Sequence, residues 1–112
     1  MIVLALCGCQ GPEAPDPALC RDYIHRVCIA PVCAPVVPLF TAGTSCEATL
    51  QTKSGCISDS FVFTTPTRGR FLTARLGLLS SGENSETHPN CDDVADAFER
   101  YPDVVRMIQG IQ

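Results

Sequence analysis

The stretch Pro-Ala-Leu-Cys-Arg-Asp-Tyr-Ile-His-Arg-Val-Cys-Ile, residues 17–29, decides the fold class of this chain. Its apolar side chains recur at the helical positions i, i+3, i+4, i+7 and i+8: Cys20, Tyr23, Ile24, Val27 and Cys28. Arginine, aspartate and histidine fall on the opposite face. Asp16 is a suitable N-cap and Pro17 a suitable first helical residue. The pattern predicts an amphipathic helix over residues 17–29.

Two more helices are expected in the middle of the chain. Ser45 can cap a helix over residues 46–53, which would end near Gly55. Thr65 is expected to cap a third helix, which starts at the proline that follows and runs to about Ser80.

The last helix is expected to begin with a capping-box-like pair, Asn90 and Asp93. Its helical spacing continues to Tyr101, where Pro102 is expected to break or kink it, and the apolar stripe then resumes. Every long periodic signal in the chain is therefore helical. The sequence predicts an all-α fold, a small disulfide-stapled helical domain of about four helices.

The length and composition exclude several classes of protein. With 112 residues the chain forms one small domain, and its apolar fraction of 46% is too high for intrinsic disorder. The chain has 12 acidic residues against 8 basic ones and no lysine- or arginine-rich run, which argues against nucleic acid as a partner. No apolar stretch reaches the roughly 18 residues that indicate a transmembrane helix.

The first nine residues are expected to carry a targeting signal. An uncharged apolar run over residues 1–8 ends at Cys9, and a polar, proline-rich stretch follows, as at the end of a processed signal peptide. The run Leu6-Cys7-Gly8-Cys9 resembles the lipobox of bacterial lipoproteins, with leucine at −3, glycine at −1 and the cysteine that becomes the first residue. The resemblance implies that Cys9 carries a thioether-linked diacylglycerol and an N-acyl chain.

This hypothesis divides the chain into three parts. Residues 1–8 are the end of a signal peptide whose basic start lies upstream, residues 9–18 are a lipidated proline-rich tether, and residues 19–112 are a cysteine-rich helical domain. The protein is then expected in the bacterial cell envelope, anchored to a membrane and facing the periplasm or the cell surface, with an envelope protein as a further partner. The alternative is that residues 2–6 form the first buried strand or helical turn of a cytosolic protein.

Six cysteines remain for the folded domain once Cys7 leaves with the signal and Cys9 takes the lipid: Cys20, Cys28, Cys33, Cys46, Cys56 and Cys91. An even set in a small exported domain predicts three disulfides, with 15 possible pairings. Helical spacing discourages Cys20–Cys28 and Cys46–Cys56, because about 12 Å or more of helix would separate each pair, whereas a disulfide needs Cα atoms within about 7 Å. An antiparallel helical hairpin would pair Cys20 with Cys56 and Cys28 with Cys46, which leaves Cys33 with Cys91.

A metal site is the alternative use of these cysteines. Cys28 and Cys33 have a spacing that occurs in zinc sites, but no second such pair follows. A cytosolic metal-binding protein that uses Cys28, Cys33 and Cys46 is therefore an alternative, while the prediction is no metal and no cofactor. The acidic stretch 83–103 lacks the EF-hand pattern of a calcium site, and its aspartates suit a helix N-terminus.

No catalytic residue is predicted. His25 is expected on a solvated helix face, and His88 lies in a polar loop without an identified partner. The sequence contains neither a nucleophile-elbow motif nor a phosphate-binding loop. Arg68, Arg70 and Arg75 form a small basic cluster. It could face lipid headgroups or the acidic surface of a partner, but most such clusters are merely solvated. The expected function is a non-enzymatic interaction or structural module; the alternative is a small envelope enzyme or ligand carrier with a site between helices, around His88.

Overall fold

The fold is all-α, as the sequence predicts. The structure, a computed structural model, describes residues 13–29, 33–79 and 90–111, and these contain five α-helices, one short 3-10 helix and no strand. The elements are α1 Asp16–Val27, the 3-10 helix Val37–Leu39, α2 Cys46–Ser54, α3 Arg68–Leu79, α4 Cys91–Arg100 and α5 Pro102–Ile108. No helix in this described part of the chain is long and apolar enough to cross a bilayer.

Helix α1 buries the apolar stripe that predicted it. The fully buried members of the stripe are Cys20, Tyr23, Ile24 and Val27. The helix begins at Asp16 with Pro15 at the N-cap, so residues 16–18 at the end of the predicted tether are helical. The expectation that Asp16 caps the helix is wrong, because its carboxylate instead accepts hydrogen bonds from the Phe63 N–H, at 2.9 Å, and from the Arg68 guanidinium.

Helix α2 starts and ends where its capping residues predict. The Ser45 hydroxyl accepts a hydrogen bond from the Ala48 N–H at 3.1 Å, which satisfies one of the free N–H groups of the first turn. The chain leaves the helix through Gly55 in a left-handed conformation. Leu50 is fully buried and joins the core against α1.

Helix α3 starts two residues later than predicted. Thr65 does not cap it; the Thr67 hydroxyl accepts a hydrogen bond from the Arg70 N–H at 3.3 Å, and the Thr67 carbonyl accepts one from the Phe71 N–H at 3.0 Å. Because Thr67 provides these bonds, the first helical residue is Arg68. The predicted end of this helix near residue 80 lies just outside the described residues.

The predicted capping box and the break at the last helix are confirmed. Asn90 Oδ1 accepts a hydrogen bond from the Asp93 N–H at 2.9 Å, and Asp93 Oδ2 accepts one from the Asn90 N–H at 3.2 Å. Helix α4 then ends at Arg100, Tyr101 is not helical, and α5 starts at Pro102. Proline suits this first position, because it has no N–H to leave unpaired there.

Aromatic rings fill the space between α1, α3 and the segment that precedes α3. The ring centroids of Tyr23 and Phe71 are 5.1 Å apart, and those of Phe63 and Phe71 are 4.4 Å apart. Phe61 and Phe63 pack against the core, whereas Val62 between them is 64% exposed. This alternation is typical of an extended segment laid across a core.

Three disulfides connect the helices and the loops between them. They join Cys20 to Cys56, Cys28 to Cys46 and Cys33 to Cys91, with Cα–Cα distances of 6.0, 5.7 and 5.4 Å. The first two are the pairs that an antiparallel arrangement of α1 and α2 requires, since the end of α1 meets the start of α2 and the first half of α1 meets the residues after α2. The third bridge ties the 33–40 connector to the start of α4.

Candidate functional site

His25 and Glu47 are brought together where α1 and α2 lie side by side. His25 Nδ1 lies 2.6 Å from Glu47 Oε2, and the two side chains remain 59% and 41% exposed. The disulfide between Cys28 and Cys46 joins the helices next to this pair. The predicted exposure of His25 is confirmed. Its partner was missed, because 22 residues separate the two and no local pattern links them.

The pair lines a shallow polar groove of about 300 Å³ between α1 and α2. The groove is formed by Ala18, Arg21, Asp22, His25, Glu47 and Gln51. Arg21 is engaged elsewhere, because its Nη2 donates to Asp59 Oδ1 at 2.7 Å and its Nε donates to the Cys56 carbonyl at 2.7 Å. Asp22 is engaged as well, because its Oδ2 accepts hydrogen bonds from Arg26 Nε and Arg75 Nε, both at 2.9 Å. The other polar side chains that line the groove are His25, Glu47 and Gln51.

The side chains that line this groove offer hydrogen-bond donors and acceptors. A carboxylate that accepts a bond from Nδ1–H holds the imidazole in the tautomer whose Nε2 is an acceptor. Catalysis would also need a reacting group within hydrogen-bond reach. An adjacent groove contains two hydroxyl groups, and both form hydrogen bonds with the backbone. Thr44 Oγ1 donates to the Thr41 carbonyl, and Ser45 Oγ accepts from the Ala48 N–H.

The predicted basic cluster on α3 does not exist as one surface. Each of its arginines pairs with a different aspartate: Arg68 with Asp16, Arg70 with Asp103, and Arg75 with Asp22. The reason is that α3 packs against α1 and runs parallel to it. Arg68 therefore meets Asp16 near the start of α1, and Arg75 meets Asp22 farther along. Arg75 is buried, with 4% of its surface exposed. The interpretation of these arginines as a patch for headgroups or an acidic partner is therefore wrong.

Arg70 and Asp103 form a two-bond ion pair between α3 and α5. Arg70 Nε donates to Asp103 Oδ2 at 2.6 Å and Nη2 donates to Oδ1 at 3.1 Å. The guanidinium also lies 4.8 Å from the centre of the Tyr101 ring. The hydrogen bonds from Arg70 hold the pKa of Asp103 below its ordinary value. Asp103, which belongs to the acidic stretch 83–103, thus stabilises the contact between α3 and α5.

A buried phenol near this ion pair was also missed by the sequence reasoning. Tyr23 Oη is buried, and no residue of the described ranges forms a hydrogen bond with it. Burial raises the pKa of Tyr23 well above its ordinary value, and the negative charge of Asp103 adds to the rise. The helical stripe predicted that Tyr23 is buried, but not that its hydroxyl would be left unpaired.

The cysteines of the zinc alternative are all bridged. Cys28 is joined to Cys46 and Cys33 to Cys91, and a bridged sulfur is not the thiolate that binds zinc. Over residues 13–29, 33–79 and 90–111, no three histidine, cysteine, aspartate or glutamate side chains are grouped so that they could hold a metal ion. Three residues of the sequence hypotheses, Cys7, Cys9 and His88, lie outside these ranges.

Comparison of the chain with known protein families, with curated proteins and with solved structures finds no match.

Proposed function

We propose that this chain is a lipid-anchored protein of the bacterial cell envelope that acts as a non-enzymatic interaction or structural module. The observation that carries the proposal is that three disulfides account for all six cysteines from Cys20 onward. Disulfides form and persist in oxidising compartments such as the periplasm. The lipobox-like Cys9 is thus left over from the bridges of the domain and is available for lipid.

The attachment chemistry follows from the lipobox-like sequence. The Cys9 thiol takes a diacylglyceryl group from a phospholipid, whose phosphate-bearing headgroup leaves. Hydrolysis of the Gly8–Cys9 bond frees the amino group of Cys9, which then takes an acyl chain from a second phospholipid and leaves a lysophospholipid. A single acyl chain binds a membrane only marginally, whereas two or more give stable anchoring. Six residues, Gln10 to Pro15, then connect the anchor to α1.

The disulfides suit a small domain that must stay folded in an oxidising compartment outside the cytoplasm. Each bridge stabilises the folded state by about 2–4 kcal/mol, largely because it restricts the unfolded chain. A domain of this size buries a small fraction of its surface compared with larger proteins. The bridges therefore supply stability that the small core lacks.

The charged side chains also favour a structural role. Six arginines are paired with carboxylates rather than gathered at one site: Arg21, Arg26, Arg68, Arg70, Arg75 and Arg100. Four of these pairs connect different segments of the fold. The charges thus fix the arrangement of the helices instead of converging on a substrate.

The experiment is intact mass spectrometry of the protein purified from membranes, with Cys9→Ala and Cys7→Ala as matched variants. The wild type should start at Cys9 and carry the added mass of a diacylglycerol and an acyl chain. The Cys7→Ala variant should keep this mass, whereas the Cys9→Ala variant should lose it and leave the membrane fraction. An unlipidated wild-type chain that retains residues 1–8 would overturn the proposal.

A second candidate function, a carrier of a small polar ligand, rests on the groove that His25 and Glu47 line. It is tested by NMR of the His25 ring while small polar metabolites are added one at a time. A compound that shifts the ring resonances in the wild type and not in the Glu47→Gln variant would favour the carrier. If no compound changes the resonances of the His25 ring, the carrier function is wrong.

A further inference from the structure

The place where the tether enters the domain is fixed by hydrogen bonds. Arg68 Nη2 donates to the Ala14 carbonyl at 2.7 Å, and Arg68 also pairs with Asp16 in the first turn of α1. The Asp16 carboxylate accepts a further bond from the Phe63 N–H at 2.9 Å. The chain leading from Cys9 is therefore held at the end of the molecule where α1 and α3 both begin.

The tether is too short to let this end move far from the anchor. Five residue steps separate Cys9 from Ala14, and at full extension they span at most about 17 Å. The opposite end of α1, at Val27, lies about 16 Å farther along the helix axis. If Cys9 carries lipid, the end of the domain that holds Ala14 stays within reach of the headgroups.

Large apolar side chains are exposed at this same end. Val62, 64% exposed, is the neighbour of Phe63 and so lies beside the start of α1. Ile111, 50% exposed, lines a cavity of about 110 Å³ together with Thr65, which precedes α3. Ile57, 58% exposed, follows the cysteine that is bridged to the first half of α1.

These three residues, Ile57, Val62 and Ile111, define what we call the attachment face. They are three of the six large apolar residues that are exposed in the described part of the chain, and the contacts above connect each of them to α1 or to the segment before α3. The small cavity that Ile111 lines is also lined by Asp103 and by the exposed Arg106. Asp103 is paired with Arg70, and Arg106 adds a positive charge beside the face.

We propose that the attachment face rests on the surface of the bilayer that holds the lipid anchor. Ile57, Val62 and Ile111 then enter the boundary between headgroups and acyl chains, where apolar side chains are removed from water. The Arg106 guanidinium binds lipid phosphate oxygens. The contact needs little affinity of its own, because the anchor keeps the face at a high effective concentration near the membrane. This inference rests on the proposed lipidation of Cys9.

The test uses the fact that the chain has no tryptophan. The lipidated full chain is prepared as a Val62→Trp variant and, as the matched control, an Ile29→Trp variant. Ile29 is also an exposed apolar residue, 42% exposed, but it follows the far end of α1. Each variant is placed in phosphatidylglycerol and phosphatidylethanolamine vesicles whose acyl chains are brominated close to the headgroup. Bromine quenches indole fluorescence at short range.

The expected result is a blue-shifted emission for the Val62→Trp variant and quenching several-fold stronger than for the Ile29→Trp variant. An Ile111→Trp variant should behave like the Val62→Trp variant, and it replaces that variant if its circular dichroism shows a disturbed fold. Equal quenching of the two variants, with the lipid mass present on Cys9, would overturn the proposed membrane contact of the attachment face. The proposed lipidation of Cys9 would be unaffected by that result. A chain without lipid on Cys9 would overturn both proposals, because the contact depends on the anchor.

Discussion

Arg75 and Asp22 form an ion pair in the interior, between α3 and α1. Arg75 Nε donates to Asp22 Oδ2 at 2.9 Å, and the two side chains are only 5% and 11% exposed. The same oxygen accepts a bond from Arg26 Nε, also at 2.9 Å. Asp22 is thus held between two guanidinium groups, which supply the compensation that a carboxylate needs when it is withdrawn from water.

The first prediction follows from this pair. Arg75→Leu should lower the free energy of unfolding by about 3 kcal/mol, because it leaves a poorly compensated carboxylate in the interior. The matched control is Arg100→Leu, since Arg100 pairs with Asp96 at the surface, with side chains 69% and 59% exposed. That variant should cost less than about 1 kcal/mol. Urea unfolding at neutral pH measures both, and equal costs would show that the interior pair is not important.

The residues that could be predicted from the sequence are those whose partners are close in the chain. The stripe of α1, the Ser45 cap, the capping box of Asn90 and the break before Pro102 all depend on spacings of eight residues or fewer. The antiparallel hairpin could also be predicted from a short spacing. Cys20 and Cys28 are too far apart along one helix to form a bridge with each other, so each needs a partner in another segment.

The rest depends on how the helices pack. The sequence shows three arginines in α3, but which aspartate each one meets depends on the direction in which α3 crosses α1. In the same way, Glu47 becomes the partner of His25 only because α2 returns alongside α1. The start of α3 was misplaced because Thr65 and Thr67 are equally good caps in sequence terms, and tertiary contacts decide between them.

The second prediction concerns the Tyr23 hydroxyl, which has no hydrogen-bond partner among residues 13–29, 33–79 and 90–111. Tyr23→Phe should raise the free energy of unfolding at neutral pH by about 1 kcal/mol, because a buried hydroxyl without a partner costs more than the hydrogen atom that replaces it. The substitution removes only the hydroxyl, so the ring should keep its packing against Phe71. Thermal and urea unfolding of the two proteins measure the difference; a variant less stable than the wild type would contradict it.

The same residue predicts an alkaline limit to stability. The phenol ionises near its ordinary pKa of 10.0 in the unfolded chain, whereas burial keeps it protonated in the folded one. The unfolded state then binds fewer protons, so stability falls as the pH rises above about 10. The Tyr23→Phe variant lacks this contribution, and its stability advantage over the wild type should therefore grow between about pH 9 and pH 11.

The third prediction concerns Asp103 at low pH. Its pKa is lower in the folded state than the ordinary value of 3.8, so the folded state binds fewer protons than the unfolded one below that pH. The stabilisation by Arg70 is therefore complete above about pH 4 and is lost as the pH falls through the folded pKa. Asp103→Asn should be less stable than the wild type at pH 7, and the difference should disappear in acid.

A matched variant separates this effect from a general loss of negative charge. Asp59 pairs with Arg21 but is 96% exposed, so solvent screens the interaction. Asp59→Asn should change the acid dependence of unfolding much less than Asp103→Asn. Equal changes in the two variants would indicate net charge, not the contact between α3 and α5, as the cause.

The fourth prediction compares two glycines with the same backbone requirement. Gly43 and Gly110 have φ angles of +89° and +78°, a region that costs other residues about 1 kcal/mol. A Cβ at Gly43 would meet nothing within 4 Å, whereas one at Gly110 would overlap the Lys53 carbonyl at the end of α2. Gly43→Ala should therefore cost about 1 kcal/mol, and Gly110→Ala about 3 kcal/mol or more, because backbone at the end of α2 must move. Urea unfolding gives both values. Equal costs would mean that the chain after α5 is not held against α2 in solution, since the left-handed conformation would then be the sole constraint on both residues.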